Sequence, residues 1–90
     1  MEKGIITVVG KDRVGIISNI CSFLASKNIN ILDISQTIID DYFNMMMIVD
    51  ITNMNETMGA VCKELDVIGD EMGVSIKLQH ENIFAKMHRI

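Results

Sequence analysis

The sequence of 90 residues contains no proline and no tryptophan, and its aromatic residues amount to one tyrosine and three phenylalanines. It therefore lacks the aromatic and basic side chains that an RNA-binding sheet interleaves. Cysteine occurs only at Cys21 and Cys62, with no Cys-x-x-Cys, which excludes zinc ribbons and thioredoxin-type redox sites. No apolar run is longer than Met45 to Val49, far short of the roughly 20 residues that span a bilayer, so no membrane association is expected. No basic segment leading into an apolar stretch and a cleavage site follows Met1. The expected location is the reducing cytoplasm, and both cysteines are expected to be buried thiols that pack as small hydrophobes. Charge of one sign is not concentrated anywhere: 8 basic and 12 acidic residues are dispersed to a net −4. A phosphate backbone needs a concentrated basic face, so nucleic acid is not an expected partner.

What is present is a globular composition, 49% apolar and 22% charged. The length is that of one small domain, taken as residues 1–90. A domain this small buries only about 60% of its unfolded surface. It has little room for an enclosed cavity, and a ligand is expected on a surface loop or between subunits.

The run Ile5 to Val9 is β-branched and apolar at nearly every position, as in a strand buried on both faces. Gly10 ends it and opens a polar loop that closes at Gly15. From Val14 to Lys27 the period becomes helical, with Ile16, Ile17, Ile20, Cys21 and Leu24 on one stripe. Asp12 is the expected N-cap, and Asn28 the left-handed exit. Asn30 to Ile39 alternates, with Leu32, Ile34, Gln36 and Ile38 on one side and Asp33, Ser35 and Thr37 on the other. Asp40-Asp41 reads as a hairpin turn into a third strand, Tyr42 to Ile51. Asn55 is the expected N-cap of a second helix. Its stripe is Met58, Val61, Cys62, Leu65, Ile68 and Met72, and it stops at Gly73. Val74 to Gln79 alternates strictly, and residues 82–90 have the pattern of a short C-terminal helix.

The order βαββαβ predicts an α+β, ferredoxin-like sandwich: a four-stranded antiparallel sheet, order 4-1-3-2, with two helices on one face. In that plan the first and third strands are central and the second and fourth are edges. The sequence agrees, because the first and third are apolar nearly throughout and the others alternate. The third strand, Tyr42 to Val49, carries apolar groups on both faces, although only one face lies under helices. An exposed apolar row marks an interaction surface, which predicts a homodimer or higher oligomer. The tail, through Phe84, Met87 and Ile90, is the alternative cover for that face.

No enzyme constellation is evident. His80 and His88 have no Cys or carboxylate partner at ligand spacing, and no nucleophile elbow occurs. Gly10-x-x-x-x-Gly15 has phosphate-loop spacing, but Ile16-Ile17 follows where Lys and Ser or Thr are required. No metal or cofactor is implied. The remaining chemistry lies in the loop running into the first helix. Free amides at a helix N-terminus receive a small anion such as a carboxylate. Gly15 permits close approach, Asp12 can accept from an ammonium, and Asn30 offers both donor and acceptor. The same residues serve equally as a turn, a cap and a strand start.

Asp12-Arg13-Val14-Gly15-Ile16-Ile17, preceded by an apolar strand and followed after one helix by Asn28-Ile29-Asn30-Ile31, resembles the ACT domain. In that family the loop commonly reads Asp-Arg-Pro-Gly before two aliphatics, and an Asn-Ile pair opens the second strand. The resemblance covers essentially the whole chain and is nearest to small stand-alone ACT proteins of bacteria and archaea. Asp33 to Thr37 and the Tyr42-Phe43-x-Met45-Met46 stretch are further points of likeness. The ACT modules of formyltetrahydrofolate deformylase and the glycine-cleavage-system repressor look related. The resemblance implies a non-catalytic regulatory domain that binds a small amino acid at a subunit interface. It places Asp12, Arg13, Val14, Gly15 and Ile16 in the ligand-facing turn, with Asn30 and Ile31 opposite. Val14 replaces the usual proline, which restores a backbone donor. Gly10 stands where some members have a polar contact. With no catalytic domain attached, the output is expected in trans, on a partner enzyme or regulator.

Two other readings stay open. Acylphosphatases share the βαββαβ order and use a loop arginine and an asparagine near the sheet centre, for which Arg13 and Asn44 are the residues available. A protein-interaction module working through the third strand is the other.

Overall fold

The computed structural model describes residues 1–82, in the order β1 (Lys3–Lys11), α1 (Ile16–Ser26), β2 (Asn30–Ile39), β3 (Tyr42–Asp50), α2 (Met58–Met72) and β4 (Val74–His80). The expected C-terminal helix lies, from residue 83 on, outside the described residues. The strands form one sheet in the order β2-β3-β1-β4, every neighbouring pair antiparallel. This is the expected ferredoxin-like arrangement.

Period-two burial divides the strands. Ile6 and Val8 of β1, Phe43, Met45, Met47 and Val49 of β3, and Val74, Ile76 and Leu78 of β4 are buried. They form one core cluster with Ile16, Ile20 and Leu24 of α1 and Val61, Leu65 and Met72 of α2, so both helices cover the same face. The opposite face carries Thr7, Val9, Tyr42, Asn44 and Met46; Val9, Tyr42 and Met46 are 50%, 59% and 45% exposed. The third strand is thus apolar on both faces, as its sequence indicated.

Four local expectations are corrected. Gly10 does not open the loop: it lies within β1, paired with both Phe43 and Val74. A Cβ there would stand 2.6 Å from Val74 Cγ1 and 2.8 Å from Val74 Cα, so the glycine serves strand packing. Asp12 does not cap α1. The helix starts at Ile16, its N-cap is Gly15 at φ 95°, and the Asp12 amide donates to the Asp41 carbonyl at 2.8 Å. That bond continues the β1–β3 ladder past Lys11 and holds Asp12 three residues upstream of the cap. Asn55 does not cap α2. Thr57 does, accepting from the Ala60 amide at 3.2 Å, while Asn55 closes the C-terminal end of α1 through the Ser26 and Lys27 carbonyls.

The fourth correction concerns β2. A bulge at Leu32 shifts the register, so Ile31 pairs with Val49 and Asp33 with Ile48. Ile31, Ile34, Gln36 and Ile38 therefore share the helix side, and the expected set loses Leu32. No residue of β2 is fully buried: Leu32, Ile34, Ile38 and Ile39 are 40%, 41%, 56% and 66% exposed.

The turns behave as their residues predict. Asp40 and Asp41 have φ of 49° and 71°, the left-handed pair of a two-residue hairpin loop. Asn28 exits α1 at φ 59°, held by its side-chain amide donating to the Asn53 carbonyl at 2.9 Å. Gly73 ends α2 at φ 73°. Cys21 and Cys62 are free thiols and only half-buried, packed at the margin of the core. The Cys62 thiol donates to the Leu78 carbonyl at 3.5 Å, and burial, with the Asp66 charge, pushes its pKa up.

Candidate functional site

The β1–α1 loop is a bend made by Gly15. Its left-handed φ turns the chain abruptly into α1 without a side chain to occupy the mouth of the helix. α1 opens at Ile16 with no side-chain cap, so the helix ladder itself leaves the amides of the first turn, Ile17 and Ser18 among them, without a partner one turn back. The nearest side chains do not fill that place. The Ser18 hydroxyl donates to the Gly15 carbonyl at 3.3 Å, and the Asn19 amide donates to the same carbonyl at 3.0 Å. The bend thus presents amide hydrogens at the positive end of the helix dipole.

The loop is propped from behind by the end of α2. The Arg13 guanidinium donates to the Met72 carbonyl at 3.3 Å, and the Asn19 side-chain amide to the Met72 sulfur at 3.6 Å. Sequence reasoning missed Met72 as a support, because its spacing marks only a core position. Val14 is 98% exposed at the tip, while the Ile16 side chain is buried in the core, so Ile16 contributes its backbone. The β2–β3 hairpin tip stands beside the loop through the bond between Asp12 and Asp41, placing three carboxylates near the bend.

Asn30 and Ile31 are not there. In register, Asn30 pairs with Asp50, and Asp50 with Lys3, at the start of β1. The loop follows Lys11, at the level of Tyr42 and Ile39. The two halves of the expected site are separated by the length of the sheet, roughly 26 Å along the strand at about 3.3 Å per residue. One chain brings Asp12, Arg13, Val14, Gly15 and Ile16 together and leaves Asn30 and Ile31 at the far end.

That far end is well braced. The Asp50 carboxylate accepts from the Thr52 hydroxyl at 2.6 Å and the Thr52 amide at 2.9 Å. These bonds hold its pKa below the usual carboxylate range. Just before β2, the Lys27 ammonium donates to Glu56 at 2.8 Å and Glu64 at 3.2 Å, and lies 5.6 Å from the Phe23 ring centre. The bond to Glu56 is the main reason that the Lys27 pKa is raised and that of Glu56 lowered. Among the described residues no group of three or more His, Cys, Asp or Glu could hold a metal ion.

A ferredoxin-like α+β domain with an open amide-lined bend after its first strand is the class that the geometry defines. The sequence pattern of the ACT domain matches residues 3–79, and the chain belongs to the ACT domain family. A UPF0237 protein of Bifidobacterium longum is 59% identical over 90 residues, covering 100% of both chains. An ACT domain protein from Streptococcus pneumoniae superposes with a TM-score of 0.81 at 38% identity, over 92% of this chain and 93% of that one. The fold alone recurs in a formyltetrahydrofolate deformylase from Pseudomonas syringae: TM-score 0.82 at 21% identity, over 89% of this chain and 28% of that one. ACT domains are generally regulatory modules.

Proposed function

We propose that this chain is a non-catalytic regulatory ACT domain that binds a small amino acid between two copies of itself. The observation that carries the reading is the state of β2. It is an edge strand, rich in Ile and Leu, and exposed on both faces as well as along its free edge. An edge of this kind is a template for pairing. Its single charge, Asp33, leaves little to oppose a second copy. A twofold axis that sets β2 antiparallel against β2 of a second copy places the start of one strand beside the end of the other. Asn30 and Ile31 of one copy then approach the Gly15 bend of its partner, and the two half-sites become one.

In that junction the amides of Ile16, Ile17 and Ser18 receive the ligand's carboxylate. The Asp12 carboxylate accepts from its ammonium, and Asn30 of the other copy supplies a donor and an acceptor. Arg13 and Val14 form the rim. Ligand bound across the junction favours whichever arrangement of the two copies it fits better, and that differential affinity is the regulatory output. The output acts in trans on a partner enzyme or regulator in the cytoplasm, and no cofactor takes part. The acylphosphatase reading gains no support from Arg13, whose guanidinium is engaged by the Met72 carbonyl.

Calorimetry of the chain against each of the twenty amino acids is the test, run beside sedimentation at matched concentrations. A saturable heat for one or a few amino acids, from a dimer or larger species, is expected. Silence across the panel at millimolar concentrations rejects the sensor reading and leaves the fold intact.

A further inference from the structure

The sheet has a second free edge. β4 is terminal in the strand order and pairs only with β1, so its outer backbone groups have no partner among the described residues. Between this edge and α2 runs a groove of about 540 Å³, lined by Asp66, Gly69 and Asp70 on the helix side and by the edge of β4 from Val74 to Lys77. Asp66 and Asp70 are exposed and lie one helical turn apart, about 6 Å along α2. Val74, Ile76 and Leu78 of β4 are buried under the helices, so Ser75 and Lys77 alternate with them on the other side of the sheet.

We propose that this groove docks an extended cationic segment of a partner protein, which joins the sheet as a fifth strand beside β4. Unpaired edge amides and carbonyls supply the main-chain bonds of such β-addition, and side-chain pockets supply the selectivity. Alternate residues of an extended strand are about 6.7 Å apart, close to the spacing of Asp66 and Asp70. Two Lys or Arg residues at i and i+2 therefore meet both carboxylates. The residue between them points to the other side of the sheet, beside Ser75 and Lys77, where a polar or acidic side chain fits. The segment reads cation–polar–cation.

Charge decides against a second copy at this edge. Pairing β4 with β4 sets Asp66 and Asp70 against the same two carboxylates and Lys77 near its own counterpart. The β2 edge carries no such opposition, so the two edges are suited to different partners. The proposal does not depend on amino-acid binding, because β2 and β4 lie at opposite edges of the sheet.

The test is an amide NMR titration of the full chain, without amino acids, using a blocked heptapeptide that alternates lysine and threonine. Saturable shifts along β4 and the facing side of α2 are expected. Asp66→Asn with Asp70→Asn, both exposed and outside the core, should weaken binding about three- to tenfold. A peptide alternating glutamate and threonine should not bind, nor should the lysine peptide methylated at its backbone nitrogens. The absence of shifts at millimolar peptide overturns the proposal. So does equal binding by the methylated peptide, which would mean charge attraction without strand addition, and so do shifts confined to β2.

Discussion

Gly69 is the position where close packing of α2 on β4 is most exposed to test. It is buried in the last turn of the helix, and a Cβ built on it would stand 2.6 Å from the Val74 carbonyl oxygen and 3.5 Å from Ile76 Cγ1. An ordinary carbon–oxygen contact is about 3.3 Å, so Gly69→Ala requires α2 to lift by about 0.7 Å from the strand. Two effects oppose each other. Alanine is a better helix former than glycine by about 1 kcal/mol. Overpacking against rigid backbone costs about 1–3 kcal/mol, and because the obstacle is a carbonyl in a paired strand the upper part of that range applies. The net expectation is a loss of about 1–2 kcal/mol, a fall in Tm of roughly 5–15 °C for a chain this size. Gly59, in the first turn of the same helix, has nothing within 4 Å of the equivalent Cβ. Gly59→Ala should therefore gain up to about 1 kcal/mol, since only the helix preference changes. Urea denaturation followed by circular dichroism, at one protein concentration, measures both. If Gly69→Ala is as stable as Gly59→Ala, the close approach of α2 to β4 is wrong.

Thr57→Ala should cost about 1 kcal/mol in the same assay by removing the cap of α2. Ile34→Lys with Ile38→Lys, on the exposed helix side of β2, should shift sedimentation to the monomer and leave the circular dichroism spectrum unchanged. The Asp50 carboxyl should titrate below the usual aspartate range by NMR and move up toward it in Thr52→Val. A carboxyl with a lowered folded pKa stabilises fully above its unfolded value of about 3.9, and that contribution is lost as pH falls through the lowered value. The difference in stability between the native chain and Asp50→Asn should accordingly narrow on acidification below about pH 4.

Most of the fold was legible because burial imposes its period on the residues. The alternation Val74, Ile76, Leu78 and the stripe Val61, Leu65, Met72 are buried as their spacing requires. The Asp40-Asp41 turn and the Gly73 stop followed from residues that tolerate left-handed backbone. Helix starts were less legible. Asp12 and Asn55 are good capping residues in isolation, but each is claimed by a tertiary bond, to Asp41 and to the end of α1. Gly10 looked like a loop residue because its constraint, the closeness of Val74, comes from a strand far away in sequence. The bulge at Leu32 had no local signal, since Ile31 and Leu32 are interchangeable by composition. For the site, the Gly15 bend was readable from its residues. The separation of Asn30 from it was not, because that follows from strand direction in the assembled sheet.

The proposed binding site is assembled from the Gly15 bend of one copy and Asn30 of another. Gly15→Val, which places a β-branched residue at φ 95°, and Asn30→Ala each remove one half. Mixed dimers carrying one copy of each variant, isolated through two different tags, should regain one intact site per dimer. Calorimetry with the amino acid giving the largest heat in the panel should then read half the native stoichiometry at native affinity, with neither variant binding alone. Mixed dimers that stay silent while folded and dimeric, or Asn30→Ala dimers that bind as the native chain does, would rule out a site shared between two copies.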